Sequence, residues 1–190
     1  MKTGRKNNNS GFSLVELVIV IAIMAVLVGV MATSVTSLTG RKVRKCADEI
    51  VTTLERTRVL TLGKEQNQVE CVISYDNTTK EYRAQIRQGD AEVSNRVLGK
   101  KPIEIKVYFE GDSKGYSLTE LKGSDSLVPY VSNSQGLHLV FNRASGAFEK
   151  DTCVLVSGGV KEYCQKIVVS SGSRTIEIMT VGKTGKILNK

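Results

Sequence analysis

The stretch GFSLVELVIVIAIMAVLVGVMA, residues 11–32, constrains this chain more than any other. From Leu17 to Val28 every residue is apolar, and only Gly29 interrupts before Val30, Met31 and Ala32. About 20 apolar residues at ~1.5 Å each cross the ~30 Å hydrocarbon core of a bilayer. Lipid offers no partners to backbone polar groups, so a single segment of this kind must be a helix. Residues 12–32 are therefore expected to form a transmembrane helix, with Leu14, Leu17, Val18, Ile21 and Leu27 on its apolar surface. Glu16 is the anomaly. A carboxylate inside such a helix costs about 2.5–3.5 kcal/mol on insertion scales, which makes it a candidate functional residue in need of a partner.

What flanks Glu16 is a short basic leader with Lys2, Arg5 and Lys6, then Gly11, then Phe-Ser-Leu-Val-Glu. This arrangement resembles the class III signal of type IV pilins and type II secretion pseudopilins. The resemblance implies that a membrane-embedded prepilin peptidase cuts between Gly11 and Phe12 on the cytoplasmic side. It also implies N-methylation of Phe12 by the same enzyme, and a role for Glu16 in neutralising the Phe12 ammonium of a neighbouring subunit. The physics agrees, because two charges in a low-dielectric helix bundle are tolerable only as a pair. Two plainer readings compete. One is an ordinary secretory signal peptide with Val30-Met31-Ala32 as a loose small-residue cut site. The other is a simple anchor that happens to carry a Glu. Neither accounts for Gly11, Phe12 and Glu16 falling together at these spacings. The distribution of Lys and Arg does not settle orientation, since Arg41, Lys42, Arg44 and Lys45 follow the span. A cytoplasmic N-terminus, an extracytoplasmic remainder and an extracellular filament after assembly follow from the resemblance.

The chain has 190 residues, so what lies beyond residue 32 suits one domain of ordinary size. A formal net charge of +8 is compatible with nucleic acid or an anionic membrane surface as a partner. The basic residues are spread along the chain apart from 41–45, aromatics are 5% and Trp is absent, so no base-stacking platform is suggested.

Taken in order, 1–11 reads as a removable leader and 33–40 as a polar, β-branched stretch of poor helix propensity, with a local break near Gly40 as one possibility. From Arg41 the apolar positions Val43, Ala47, Ile50, Val51, Leu54 and Leu62, with Thr57 and Thr61, recur at helical spacing. Gly63 suits a stop. One long helix is thus expected from 12 to about 62, apolar in its first half and amphipathic over 33–63. Beyond Gly63 the pattern shifts to strands at 69–75, 81–87, 103–109, 137–141, 153–157, 166–170, Arg174–Val181 and 186–188. Residues 111–136, rich in Gly, Ser and Asp, read as a long surface excursion. The expected fold is α+β: a long helix packed on a C-terminal antiparallel sheet domain, 64–190, in the lollipop form that the pilin resemblance implies.

Residues 45–62 followed by Val69, Phe141-Asn142-Arg143 ahead of Gly146, and 176–181 ending in Gly-Lys-Thr-Gly-Lys-Ile resemble minor pseudopilins of the GspH/FimT type, for which a two-sheet β domain is implied. A major pilin or a competence pseudopilin is an alternative within the resemblance. Cys153 and Cys164 flank a turn-rich stretch and are candidates to bridge across a hairpin. Cys46 and Cys71 are candidates to staple helix to sheet. Outside the membrane a bridge contributes about 2–4 kcal/mol. The competing reading is four buried free thiols.

Catalytic motifs are lacking. Gly182-Lys183-Thr184 suggests a phosphate loop, but Glu177 stands where the upstream Gly is required. Ser157-Gly158-Gly159 is a turn, without the G-x-S-x-G of a nucleophile elbow. With His138 as the lone His and no C-x-x-C, a zinc site is not expected. Two functions remain. One is a structural subunit, non-enzymatic and without cofactor, that works with prepilin peptidase, other pilin subunits and a membrane assembly platform. The other is a tip or DNA-binding pseudopilin that uses its basic residues to take up DNA.

Overall fold

An uninterrupted helix, α1, carries the chain from Leu14 to Gly63. The computed structural model describes residues 13–63, 69–89, 91–124 and 131–189, with the backbone alone for 31–38 and Asn189. The helix runs through Gly40, as the expectation of one long helix had it, and the alternative of a local break there does not occur. A single helical Gly costs about 1 kcal/mol, which the packed residues that follow it outweigh, since extending a helix is far easier than starting one. The chain divides at Leu38/Thr39 into two compact units.

In the second unit α1 buries the expected stripe. Val43, Ala47, Ile50 and Leu54 are fully buried, and so is Cys46. The stripe then continues in threonine. Thr53, Thr57 and Thr61 are buried, and each hydroxyl donates to the carbonyl four residues earlier, at 2.7, 2.8 and 2.9 Å. Such back-bonding lets a hydroxyl enter the core without an unmet partner. Leu62, expected on the stripe, is 48% exposed. It sits one residue past Thr61, about 100° around the helix, and so points outward.

Strands β1 (Val69–Asp76), β2 (Glu81–Gln88), β3 (Ala91–Lys100), β4 (Glu104–Phe109), β5 (Tyr116–Ser117) and β6 (Leu121–Gly123) follow the helix. Then come β7 (Leu137–Val140), β8 (Cys153–Leu155), β9 (Val160–Lys161), β10 (Cys164–Ser171), β11 (Arg174–Val181) and β12 (Lys186–Asn189). Among the described residues they form three antiparallel sheets, ordered β3-β2-β1-β7, β12-β11-β10-β4-β5 and β6-β8-β9. The α+β class is as expected, but two larger sheets are joined by a small third one. The expected hairpins are present, with Asp76 facing Glu81 and Ser171 facing Arg174. Asp76 closes the first by accepting N–H bonds from Thr78 and Thr79 at 2.8 and 3.2 Å, which holds its carboxyl below the usual range.

Three elements differ from expectation: β3, the 111–136 excursion and the two-residue β9. Strand β3 was not expected, because its apolar residues, Ala91, Val93, Val97 and Leu98, do not alternate regularly with polar ones, and of these only Leu98 is buried. It is an edge strand, where charge discourages pairing with other chains. The 111–136 excursion holds β5, a 3-10 turn at Leu118–Glu120 and β6. Strands of two or three residues are too short to leave a period in the sequence. Part of this excursion, 125–130, lies outside the described residues.

One apolar core joins Val43, Ile50 and Leu54 of α1 to Cys71, Ile73 and Ala84 of the first sheet and to Ile105, Val107, Ile167 and Val169 of the second. Strand β1 is buried along both faces. Its Cys71 and Ile73 enter that core, while Glu70 and Val72, which alternation puts on the opposite face, are also shut off from solvent.

Candidate functional site

Gly11 and Phe12 lie outside the described residues. The helix opens where the Leu17 N–H meets the Ser13 carbonyl at 3.1 Å, which places Glu16 in its first turn. A carboxylate there is favoured by the unpaired N–H groups and the positive end of the helix dipole. Glu16 is exposed. Leu14 is 78% exposed, and Leu17, Val18, Ile21 and Leu27 are each about half exposed, with Ile19, Val20 and Ile23 similar. The first stretch of α1, residues 14–30, is therefore apolar all round with one acid. Such a surface belongs in a membrane or in the interior of an assembly. Among the described residues no helix is long and apolar enough to cross a membrane. The transmembrane expectation for 12–32 is not supported by the described residues, and Phe12 and the side chains of Met31 and Ala32 lie outside them.

The most buried polar arrangement was missed by sequence reasoning. His138 on β7 is fully buried and Glu70 on β1 is 3% exposed. The His138 Nδ1 meets Glu70 Oε1 at 2.5 Å, and its Nε2 meets the Ser134 carbonyl at 2.8 Å. A carbonyl has no proton to give, so Nε2 is the donor there. The other Glu70 contacts come from Ser132, whose N–H and hydroxyl donate at 3.1 Å. Ser134 Oγ lies 3.4 Å from Nε2, the order of a Ser-His-Glu triad. The ring nitrogen is already committed to a backbone carbonyl, however, and the imidazole is sealed from solvent. The arrangement is a strap that ties the 132–134 segment to the first sheet. Glu70 left no signal in the sequence, because an acid in an otherwise apolar strand reads as its exposed face.

The four cysteines are buried free thiols in the structure, and burial pushes each up to about 12. Cys71 bonds Thr57, which lies three helical turns beyond Cys46, about 16 Å along the axis. A disulfide needs Cα atoms within about 7 Å, so the structure does not bring Cys46 and Cys71 together. The Cys153 thiol accepts the His138 N–H at 3.0 Å, with Cys164 near enough to add to its shift. Only the thiolate reacts, and at pH 8 a thiol shifted to 12 is about one part in ten thousand ionised. Native protein is expected to resist a thiol reagent, and all four sites are expected to react after denaturation without reductant. Two reactive sites after denaturation would instead show one bridge, and peptide mapping that joins Cys153 to Cys164 would establish which.

Two stretches that carry the pseudopilin resemblance meet in space. Asn142 Oδ1 accepts N–H bonds from Ala144 and Ser145, at 3.0 and 3.1 Å, and closes a turn at Gly146. Gly185, at φ +66°, lies against the Gly146 carbonyl so closely that a Cβ would sit 1.8 Å from that oxygen. Arg58 of α1 donates to the Thr184 carbonyl at 3.1 Å. Gly182-Lys183-Thr184 is thus a turn held by the helix and a neighbouring turn.

Residues 6–32 match the prokaryotic N-terminal methylation motif. The match supports the N-terminal signal of a type IV pilin-like precursor. No curated protein and no solved structure matches the chain.

Proposed function

We propose that this chain is a minor structural subunit of a type IV pilus or type II secretion-like pseudopilus, of the GspH/FimT type. The observation that carries the reading is Glu16, a lone acid in the first turn of an all-round apolar, exposed helix inside the matched motif. In this reading the peptidase removes 1–11 and leaves an ammonium on Phe12, which is then methylated. The helix holds the subunit in the cytoplasmic membrane until the assembly platform draws it into a filament. There the apolar helices cover one another, and repeated head-to-tail contacts that do not close build a helical array. The sheet domain faces outward.

The test is a Gly11→Val chain expressed with its peptidase. A branched side chain is expected to block cleavage where the enzyme accepts a minimal one, so the protein should accumulate at precursor length in the membrane. Normal processing of Gly11→Val would contradict the reading.

A further inference from the structure

We propose that the basic hollow between the first exposed turn of α1 after Thr39 and the β3–β4 corner binds the phosphate headgroup of an anionic glycerophospholipid. The hollow, about 550 Å³, is ringed by Lys42, Lys45, Lys100 and Lys101. All four lysines are exposed. Lys100 shares its charge with Glu81 at 2.8 Å, whereas Lys42, Lys45 and Lys101 have no acidic partner among the described residues. Like charges held around one hollow repel, and a bound anion relieves that repulsion.

The floor decides which anion. It is apolar, made by buried Leu98 and Ile103 with Val97 and Pro102 at the edge. Inorganic phosphate gains nothing from such a floor. A nucleic acid backbone needs a charged track and prefers aromatic platforms for its bases, and no aromatic residue lines this hollow. A glycerophospholipid presents a phosphate with an apolar glycerol ester beside it, which matches lysines around an aliphatic floor. The adjoining hollow of about 340 Å³, with Arg41, Arg44 and Arg96, is more nearly neutral. There Arg96 pairs with Glu49 at 3.0 Å and Arg44 with Asp48 at 3.9 Å. In the sequence Lys42 and Lys45 follow the apolar run closely, where basic side chains next to a membrane segment meet anionic lipid. The inference rests on the membrane-anchored reading for where the lipid is met, but binding itself does not require it.

The test uses the full chain in neutral maltoside micelles. Dihexanoyl-phosphatidylglycerol is titrated below its micellar concentration while amide resonances of 42–45 and 97–103 are followed. Dihexanoyl-phosphatidylcholine, inorganic phosphate and a short DNA duplex are titrated in parallel. Saturable shifts confined to these residues with phosphatidylglycerol, and weaker binding of the other three, are expected. Lys42→Gln and Lys101→Gln should each weaken binding about fivefold, and Lys150→Gln, outside the hollow, should leave it unchanged. An equal response to phosphatidylcholine, to phosphate or to DNA overturns the proposal, as does full affinity in both lysine variants. Because the lipid is soluble, a negative result leaves the Phe12 processing site untouched, and a failure of that site leaves this titration interpretable.

Discussion

Glu16→Leu is expected to yield a chain that is processed, reaches the membrane at normal levels and is missing from sheared filaments. Removing the acid makes the helix more apolar, so insertion should improve slightly. Glu16 is exposed in the first turn and belongs to a compact unit separate from the sheet domain, whose stability should therefore not change. The loss falls on assembly. In the proposed reading the cut leaves an ammonium on Phe12, four residues before Glu16 in the sequence, so a neighbour displaced along the axis could set opposite charges together. In an apolar helix bundle that pairing lowers the cost of both charges and selects one axial register. Without Glu16 the neighbour's ammonium is buried and unpaired, at a cost of about 3–5 kcal/mol per contact, enough to lower incorporation by two orders of magnitude or more. Wild-type recovery of Glu16→Leu in filaments would show that Glu16 is not the partner.

Glu70→Ala is expected to destabilise the sheet domain by about 3–5 kcal/mol, because it leaves the buried His138 Nδ1 and the part-buried Ser132 N–H without a partner. For a chain of this size the midpoint of thermal unfolding should fall by roughly 10 °C. The double variant Glu70→Leu with His138→Leu should recover the part of the loss that comes from the unpaired imidazole, since an apolar pair of similar volume replaces the polar one while the Ser132 N–H stays unpaired. Thermal and urea unfolding of the three proteins decide the matter. A loss below about 1 kcal/mol in Glu70→Ala would mean that the strap contributes little.

These two residues mark the extent of what the sequence shows. Glu16 was legible because a charge in an unbroken apolar run has no ordinary explanation. Glu70 was not, because period-two reasoning assumes that one sheet face is wet, and both faces of β1 are dry. The amphipathic half of α1 was readable as far as Leu54, where the stripe is aliphatic. Past it the core-facing positions are Thr57 and Thr61, which the helical spacing had placed on the stripe, whereas Leu62, also placed there, points outward. The long hairpins were readable from their turns, Asp76 to Thr79 and Ser171 to Ser173. β3 was hidden by the irregular spacing of its apolar residues, and β5, β6 and β9 by their shortness. The staple between Cys46 and Cys71 rested on placing one on the helix and the other on the first strand, which leaves open how far along α1 Cys71 sits; its bond to Thr57 places it three turns past Cys46.

The central claim is that the mature chain starts at Phe12. The most direct measurement is the mass of the N-terminal peptide of wild-type protein extracted from membranes of cells that carry the peptidase. A peptide that begins at Phe12 with one added methyl group is the predicted result. A chain that begins at Thr33, after Ala32, would establish an ordinary secretory signal and contradict the account.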